Sequence, residues 1–401
     1  METITGKLIL KKGREKPVRN GHPWIFSGAI ARTEGDATAG DLVAVHDSYG
    51  RFLAIAYFNP ASQIRARILS WDSNHNIDES FWQSLIQRAL DGRSALGLDT
   101  KTTAFRLINA EADGLPGLIV DRYGDILVMQ CLTFGIDQRK TMLAQLLADL
   151  IHPSGIYERS DVAVRRKEGL PSQKGLLWGK APPDELIITE NGLQFIVDIR
   201  GGHKTGYYLD QRSNRSLLRQ TTGIAEKTVL NVFAYTGGFS VYAAAAGVRL
   251  ITNIDSSIPA LELAERNMAL NGFTRTEDEY IAGDAFEILR DFRDRSYQYD
   301  VVILDPPKFA HSKRDVERAS RGYKDINLLA LRLLAPGGLL LTFSCSGQIS
   351  EDLFQKILFG AVVDAKRDVQ IIQRLGQSAD HPTSLTFPES AYLKGFLCRV
   401  W

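Results

Sequence analysis

The pattern of apolar and polar positions changes twice along the chain and divides it into three parts. Over residues 1–72, short apolar stretches alternate with turn residues, which predicts a small β-rich module. Residues 73–183 combine helical and strand-like stretches, and residues 184–401 alternate apolar strands with amphipathic helices. We therefore expect three domains.

The central part of the chain is predicted to be a mixed α/β domain that ends in a linker. Apolar residues fall on one face of a helix over Ser80–Leu96, and a second helix is expected over about Gln138–Leu150. Strand-like stretches lie between these helices and at Ile156–Glu158. The Gly, Pro and Lys residues of Gly169–Pro183 are typical of a linker.

The third part has the pattern of a doubly wound parallel sheet, in which strands and helices alternate. The predicted strands are Val229–Phe233, Leu250–Asp255, Tyr280–Ala282, Val301–Leu304, Leu339–Phe343, Val369–Arg374 and Phe396–Val400. Ligands of open α/β sheets bind at the carboxyl ends of the strands. The residues that follow each strand are therefore the candidates for a site.

Composition and charge limit how the chain could contact nucleic acid. With 44% hydrophobic and 24% charged residues, the chain is ordinary for a globular protein. Its net charge of +1 excludes a small protein that binds nucleic acid through a strong overall positive field, so any such contact depends on local patches. Lys11, Lys12 and Arg14 belong to one candidate patch, for which the alternative is a solvated basic face.

The cysteines and the apolar runs indicate the compartment. Cys131, Cys345 and Cys398 are too few and too widely spaced for a disulfide framework or a zinc site, so we expect a reducing compartment and no metal. The N-terminal stretch lacks the apolar run of a signal peptide, and no run approaches the roughly 18 apolar residues of a membrane span. We therefore expect a cytoplasmic protein.

Three loops at the carboxyl ends of the first three strands fit an adenosine-bearing cofactor. The Gly237-Gly238 pair permits a tight turn and close approach of a ligand to the backbone. Asp255 ends the second strand, where a carboxylate can accept from both hydroxyls of a ribose. Asp284 is a candidate acceptor for an adenine amino group or, alternatively, the N-cap of the next helix. The candidate contacts in these loops are Asn231, Phe233, Tyr235, Thr236, Gly237, Asp255, Ser256, Asp284 and Ala285.

Two further loops supply candidate reactive groups. The fourth strand leads into Asp305-Pro306-Pro307-Lys308, whose prolines stiffen the loop and hold the carboxylate of Asp305 next to the cofactor position. Cys345 follows the fifth strand among small polar residues and precedes a helix whose N-terminus favours a thiolate. We therefore predict that Cys345 is a nucleophile, that Asp305 acts beside it and also reaches the cofactor, and that Pro306 and Lys308 contact the substrate.

The segment Lys204–Arg212, ahead of the sheet, is unusually rich in aromatic and polar residues. Gln211 and Arg212 are candidates for contact with the carboxylate of the cofactor, and Tyr207 is a candidate for stacking on a base. The alternative is an edge strand with solvated side chains. The sequence does not separate these two interpretations.

The chain resembles the bacterial PUA-domain-containing 23S ribosomal RNA cytosine-5 methyltransferases, which depend on S-adenosylmethionine (SAM). The matching segments, which together extend over nearly the whole chain, are Gly21–Phe26, Gly40–Val43, Asp113–Asp121, Lys204–Arg212, Asn231–Gly238, Asp305–Phe309 and Ser344–Ser346. The resemblance implies an N-terminal PUA domain for RNA, a central α/β domain and a C-terminal Rossmann-like methyltransferase domain. It also implies SAM as the cofactor, ribosomal RNA as the partner, and frequent homodimers.

Methylation at carbon 5 of cytosine would explain why a thiol and a carboxyl group follow neighbouring strands. Addition of the Cys345 thiolate at carbon 6 makes an enamine, and a proton or hydrogen bond from Asp305 to N3 stabilises it. A base must then remove the carbon-5 proton, and the sequence does not identify that base. Many RNA cytosine-5 methyltransferases carry a second cysteine directly after the Asp-x-Pro loop, whereas this chain has Pro307-Lys308-Phe309, so another group, such as Lys308, must assist elimination.

Two other classes of function compete with this interpretation. A methyltransferase acting on nitrogen of a base or of a protein would use Asp305 and the prolines to orient an amino group, with Cys345 merely structural. A non-catalytic RNA-binding assembly factor would keep a degenerate cofactor fold. The presence of Asp255, Asp284, Asp305 and Cys345 argues against the second of these.

Overall fold

A computed structural model of the chain describes residues 2–98, 101–310 and 312–401. The chain forms two compact units, each built from separate stretches of sequence. Unit 1 comprises Met1–Ile188, Val197–Leu209 and Ala379–Ser390, and unit 2 comprises Thr189–Ile196, Asp210–Ser378 and Ala391–Trp401. Among the described residues, none of the helices has the length and apolar character needed to cross a bilayer.

The N-terminal part of unit 1 is the predicted β-rich module. Its elements are β1 (Ile4–Leu10), α1 (Lys16–Arg19), β2 (Trp24–Phe26), β3 (Ile30–Gly35), β4 (Leu42–His46), β5 (Phe52–Phe58) and β6 (Ile64–Ser70). The strands form a six-stranded sheet in the order β2-β6-β5-β4-β1-β3. Apolar side chains such as Leu8, Val45 and Ile68 are buried in its core. The sequence did not predict β3, because most of its side chains are exposed and carry no apolar alternation.

The central part of unit 1 is a second sheet that packs against two helices. Its elements are α2 (Glu79–Ser94), β7 (Ala104–Asn109), β8 (Leu118–Tyr123), β9 (Ile126–Cys131), α3 (Phe134–Ile151), β10 (Gly155–Ser160) and β11 (Gln173–Gly179). The strand order is β11-β10-β9-β8-β7. Both predicted helices are confirmed, with bounds that differ by a few residues.

The prediction of a linker over Gly169–Pro183 is wrong for part of that stretch. Gln173–Gly179 forms β11, which pairs antiparallel with β10 along its length. Two of the glycines that suggested a linker have left-handed backbones toward either end of the stretch, Gly169 with φ of 75° and Gly179 with φ of 67°, and Gly175 lies within the strand. Between them, Leu177 and Trp178 pack against the apolar core of unit 1.

Unit 2 contains a seven-stranded sheet with helices between its strands. A hairpin of β12 (Leu186–Glu190) and β13 (Leu193–Val197) precedes the elements of this sheet in the sequence. The elements that follow are α4 (Arg212–Gln220), β14 (Thr228–Val232), α5 (Gly238–Ala245), β15 (Leu250–Asp255), α6 (Ile258–Leu270), β16 (Glu279–Ala282), α7 (Ala285–Asp294), β17 (Tyr299–Leu304), α8 (Val316–Leu333), β18 (Leu334–Ser344), α9 (Glu351–Ala365), β19 (Val369–Gly376) and β20 (Lys394–Val400).

The strand order of this sheet is β16-β15-β14-β17-β18-β20-β19, and all seven strands predicted from the sequence are present. The pairs from β16 to β18 are parallel, whereas β20 runs antiparallel to both of its neighbours. The direction of strand succession reverses between β14 and β17. Such a switch point opens a crevice at the carboxyl ends of the strands, where ligands of doubly wound sheets bind.

The segment Ala379–Ser390 lies in unit 1 although it connects β19 and β20 of unit 2. Its buried Asp380 accepts a hydrogen bond from the backbone N–H of Arg106 at 2.8 Å, and its backbone carbonyl accepts one from the guanidinium of Arg93 at 3.1 Å. The ring of Phe387 lies 4.6 Å from that of Trp24. The sequence pattern gave no sign of this return to the N-terminal half.

Candidate active site

The register of the sheet brings the predicted loops of unit 2 together. Val232 of β14 pairs with Leu304 of β17, and Leu304 pairs with Thr342 of β18. The residues that follow these positions therefore meet at one edge of the sheet. They are the loop that starts at Phe233, the loop that starts at Asp305, and the end of β18 that leads to Cys345.

The loop after β14 has an unusual backbone. Phe233 has φ of 62°, Tyr235 has φ of 48° and Gly237 has φ of 73°. Bulky residues rarely adopt this left-handed region, and strain of this kind concentrates at ligand sites. Two hydrogen bonds hold the loop, because the N–H of Tyr235 donates to Asp255 at 2.8 Å and the side chain of Asn267 donates to the carbonyl of Thr236 at 2.9 Å.

Asp255 ends β15 as predicted and organises two neighbouring turns. One of its carboxylate oxygens accepts from Tyr235, and the other accepts from the N–H of Ser257 at 2.9 Å. A carboxylate has about four acceptor positions, so capacity for the hydroxyls of a ribose remains. Ser256 is exposed beside it.

Among the buried polar atoms of unit 2 that have no hydrogen-bond partner within the described part of the chain, two belong to residues predicted to contact the cofactor. They are the hydroxyl oxygen of Thr236 and the amide nitrogen of Gln211. The amide oxygen of Gln211 is already engaged by Asn214 at 2.6 Å, and Arg212 begins α4 as a buried residue. An unsatisfied buried polar group is costly, and a ligand with hydroxyl, amino and carboxylate groups would satisfy these two atoms. The residues therefore fit SAM.

Asn231 and Asp284 have structural roles that the sequence pattern did not separate from ligand contact. Asn231 is buried within β14 and donates to Ser240 at 2.7 Å, and its contact with the cofactor stays a prediction. Asp284 is the N-cap of α7, accepting from the N–H groups of Phe286 and Glu287 at 2.9 and 3.1 Å. Its side chain is exposed, and contact with an adenine remains a prediction. Ala285, the first residue of α7, is buried.

Cys345 is partly exposed and lies between two buried serines. Ser344 and Ser346 are fully buried, and both hydroxyls bond the phenol of Tyr323, at 3.0 and 3.1 Å. The other two cysteines, Cys131 and Cys398, are buried. Burial raises the pKa of the Cys398 thiol to about 12, and it raises the pKa of Cys131 as well.

The Asp305 loop is tied to the Cys345 loop. Pro306 is buried, whereas Pro307 and Lys308 are exposed. Beyond them, the N–H of Ala310 donates to the hydroxyl of Ser346 at 3.2 Å, and the ring of Phe309 lies 4.7 Å from that of Tyr323. The carboxylate and the thiol thus sit on two loops that share the same buried anchor.

Lys394 is a residue of this site that sequence reasoning missed. It is the first residue of β20 and pairs with Ser344, and its ammonium group donates to the carbonyls of Ser346 and Ile349, both at 2.8 Å. The pKa of Lys394 is lowered to about 8, chiefly by burial and also by the charge of Lys308, while Cys345 and Glu351 act in the opposite direction. The only sequence signal was a lysine at the start of an apolar strand, far from Cys345 in the chain.

Tyr207 does not present a free ring face for stacking on a base. It is buried in unit 1, and its backbone N–H donates to the phenol of Tyr123 at 3.2 Å. The alternative of an edge strand is also wrong, because the segment forms turns and then enters α4. The ring of the neighbouring Tyr208 is covered by the ammonium group of Lys204 at 4.3 Å.

The predicted basic patch is exposed on unit 1. Lys11, Lys12 and Arg14 all lie at the surface, and Lys11 donates to the carbonyl of Gly28 at 3.0 Å. Arg14, Trp24 and Phe26 line a largely apolar cavity of about 390 Å³. A cation and aromatic rings around one cavity are the groups that stack on unpaired bases.

Replacing Gly237 with alanine is expected to weaken SAM binding at least about tenfold. A Cβ atom there would lie 2.8 Å from the Cβ of Ala264, on a backbone with φ of 73°, so the loop must move. Isothermal titration calorimetry with SAM measures the effect. The matched control is Gly272→Ala, at φ of 76° with nothing within 4 Å, which should leave the affinity unchanged. Equal affinities in both variants would remove this loop from the site.

Within the described ranges, His, Cys, Asp and Glu side chains form no group of three or more that could hold a metal ion.

Comparisons with known proteins agree with this architecture. Residues 8–71 match the family described as a PUA-like domain, and residues 166–399 match the S-adenosylmethionine-dependent methyltransferase family. In the solved structures, a protein described as a SAM-dependent methyltransferase from Streptococcus mutans has a TM-score of 0.85 at 24% identity, over 99% of this chain and 100% of that one. A second structure, of SMU.776 complexed with SAH, has a TM-score of 0.86 at 24% identity, with the same coverage. These likenesses show the fold.

Full-length relatives are closer in sequence. A protein of Klebsiella pneumoniae (strain 342) named ribosomal RNA large subunit methyltransferase I is 48% identical over 399 residues, which is 100% of this chain and 99% of the relative. Its namesake in Cronobacter sakazakii (strain ATCC BAA-894) is 48% identical over 394 residues, 98% of this chain and 99% of that protein. The chain therefore belongs to the S-adenosylmethionine-dependent methyltransferase family, as a SAM-using enzyme with an N-terminal PUA-like domain.

Proposed function

We propose that this enzyme methylates carbon 5 of a cytosine in large-subunit (23S) ribosomal RNA, with Cys345 as the covalent nucleophile. The observation that carries the proposal is the placement of the partly exposed Cys345 on a loop that is hydrogen-bonded to the Asp305 loop. Both loops lie at the edge of the sheet that also carries the strained Phe233–Gly237 loop, which is the proposed cofactor site. The names of the full-length relatives support ribosomal RNA of the large subunit as the substrate.

A cysteine nucleophile is needed because carbon 5 of cytosine does not react readily with a methyl donor. Carbon 5 of cytosine is a poor nucleophile, because its π electrons are delocalised in the conjugated ring. Addition of the Cys345 thiolate to carbon 6 breaks the 5,6 double bond of the ring and places the electron pair so that carbon 5 becomes nucleophilic. SAM, when bound, supplies an electrophilic methyl group.

Asp305 stabilises the electron-rich ring that this addition creates. A proton or hydrogen bond from its carboxyl group to N3 of cytosine offsets the developing negative charge. Pro306 is buried and fixes the loop, while the exposed Lys308 is free to reach the RNA backbone or to assist the final elimination. That elimination removes the proton from carbon 5, and its electrons re-form the double bond as the sulfur leaves carbon 6.

The target cytosine must leave its stack to reach the thiol, so the RNA has to be held on either side of it. We infer that the exposed patch of Lys11, Lys12 and Arg14, with the cavity that Trp24 and Phe26 line, contacts RNA. A ribosomal RNA substrate also places the enzyme in the cytoplasm. A homodimer, which the resemblance implies, stays a prediction that light scattering would test.

Replacing Lys11, Lys12 and Arg14 together with glutamine is expected to lower the salt dependence of RNA binding. On single strands, each phosphate that a cation neutralises adds about 0.7 to the slope of log K against log salt, so the slope should fall by about 2 in the triple variant. Fluorescence anisotropy between low and moderate salt measures the slope. The control replaces three exposed cations of α8 and α9, Arg321, Lys324 and Lys356. A slope that changes equally in both variants would contradict a specific role for the patch.

The product of the reaction distinguishes this proposal from methylation of nitrogen. Purified enzyme is incubated with labelled SAM and unmodified ribosomal RNA, and the digested nucleosides are identified by mass spectrometry. We expect 5-methylcytidine, together with a covalent enzyme–RNA complex when the RNA contains 5-fluorocytidine, since fluorine at carbon 5 blocks elimination. Formation of an N-methylated nucleoside without a trapped complex would favour the alternative, in which the Asp305 loop orients an amino group.

A further inference from the structure

A buried cation, the ammonium group of Lys394, forms hydrogen bonds to the loop that carries Cys345. Lys394 lies opposite Ser344 in the antiparallel pair of β18 and β20, so its side chain starts one position away from the cysteine across the sheet. Its ammonium group donates to the carbonyls of Ser346 and Ile349, which lie on the same side of Cys345 in sequence. These two bonds close the turn between the end of β18 and the start of α9.

Tyr323 is the second residue that holds this loop, and its side chain is neutral. Tyr323 bonds the hydroxyls of Ser344 and Ser346, and burial raises the pKa of its phenol. The ionisable groups around Lys394 are the thiol of Cys345, Lys308 from the loop after β17, and Glu351 from the start of α9. Glu351 is itself paired with Arg374 of β19, and Lys308 is exposed. Lys394 is therefore the buried cation of this group.

Two carbonyl groups do not by themselves require a charged donor. A neutral amide or hydroxyl could satisfy them, whereas burying an ammonium group costs free energy unless a negative charge lies nearby. The thiolate of Cys345, which the proposed mechanism requires, is such a charge. The positive group would then favour release of the thiol proton to solvent before the cysteine attacks.

We propose, on the basis of the proposed function, that Lys394 is a positioning residue for Cys345, which fixes the loop that carries the thiol and stabilises its thiolate form. Lys394 does not contact the cytosine in this role. It acts through the cysteine, and its removal should therefore change the pH dependence of the thiol.

The test measures the reactivity of the thiol without any substrate. The intact protein is treated with iodoacetamide over a range of pH, and alkylation of the Cys345 peptide is followed by mass spectrometry. In Lys394→Gln, which keeps a donor but no charge, we expect the midpoint of the alkylation profile to move about one pH unit upward. Lys394→Met should shift it at least as far, and Lys394→Arg should stay close to the wild type. An unchanged midpoint in both neutral variants would overturn the proposal.

Two controls separate this effect from loss of folding. Lys356→Gln removes a charge from an exposed ion pair with Asp352 on α9 and should leave the midpoint unchanged. Thermal unfolding shows whether Lys394→Met stays folded; if it does not, Lys394→Gln and Lys394→Arg carry the comparison. A midpoint that moves equally in the arginine and glutamine variants would show a packing effect and contradict a role for the charge.

Activity measurements separate this proposal from the proposed function itself. If Cys345→Ala keeps its methyl transfer, the covalent mechanism fails, yet the alkylation profile still tests the link between Lys394 and the thiol. If the covalent mechanism holds, Lys394→Gln should lower kcat with little change in the KM for SAM. The acidic limb of its pH–rate profile should move upward with the midpoint of alkylation.

Discussion

Cys345→Ala is expected to reduce methyl transfer by more than about 10⁴-fold while SAM binding stays unchanged. Without its nucleophile the enzyme loses the covalent reaction pathway. The resulting losses of rate are among the largest that single substitutions cause. The hydrogen bonds to Tyr323 come from the hydroxyls of Ser344 and Ser346, so alanine between them should leave these bonds undisturbed. Single-turnover transfer of labelled methyl groups to unmodified ribosomal RNA measures the rate, and calorimetry measures SAM binding.

The matched control for this substitution is Cys398→Ala. Cys398 is buried within the core of unit 2, so its loss should lower the free energy of unfolding by about 1 kcal/mol and leave the transfer rate nearly intact. If Cys345→Ala kept most of its activity, the thiol would be structural, and methylation of nitrogen would become the preferred function.

Asp305→Asn is expected to reduce kcat by about 10²- to 10⁴-fold, the usual contribution of a positioned acid or base. The substitution preserves the shape of the loop, which Pro306 and Pro307 stiffen, and removes the ability to give a proton to N3. The KM for SAM should change little if the main role of the carboxyl group is toward the cytosine. A large rise of that KM at constant kcat would instead assign Asp305 to cofactor binding.

Asp291→Asn is a suitable control for Asp305→Asn. Asp291 lies on α7 in an exposed ion pair with Arg295, so the same chemical change should leave both kinetic constants unaffected. A fall of kcat in both variants would indicate a general effect on unit 2 rather than on the reaction.

Most of the sheet of unit 2 followed from local sequence. Its strands are continuous apolar runs separated by amphipathic helices, so periodicity alone located all seven, with ends that differ by up to about five residues. The edge of the sheet where ligands bind also followed, because it depends only on where parallel strands end. The position of Asp255, Asp305 and Cys345 at that edge was therefore predicted without any knowledge of the tertiary structure, and their roles stay predictions.

The sequence failed where a role depends on contacts distant in the chain. Tyr207 is an aromatic residue in a suggestive position, yet it is buried by tertiary packing that its neighbours in sequence do not reveal. Lys394 is the opposite case, a residue of the candidate site that the sequence did not suggest. Its function depends on the antiparallel pairing of β18 with β20, and nothing near it in sequence points to the cysteine.

The linker prediction failed for a local reason. Gly169 and Gly179 have left-handed backbones at the two ends of a stretch that holds an edge strand. Glycines that end a strand and glycines of a flexible connection look alike in one sequence. Only the pairing of β11 with β10 separates them.

The return of Ala379–Ser390 to unit 1 has a consequence for the synthesis of the protein. A ribosome makes the first half of unit 1 early, but Arg93 and the backbone of Arg106 gain their bonds to Asp380 only when translation is nearly complete. Unit 1 therefore finishes folding after the rest of the chain has emerged. A product cut short before this segment would leave the buried guanidinium and backbone groups of unit 1 incompletely satisfied, and we expect such incompletely folded chains to be more open to proteolysis.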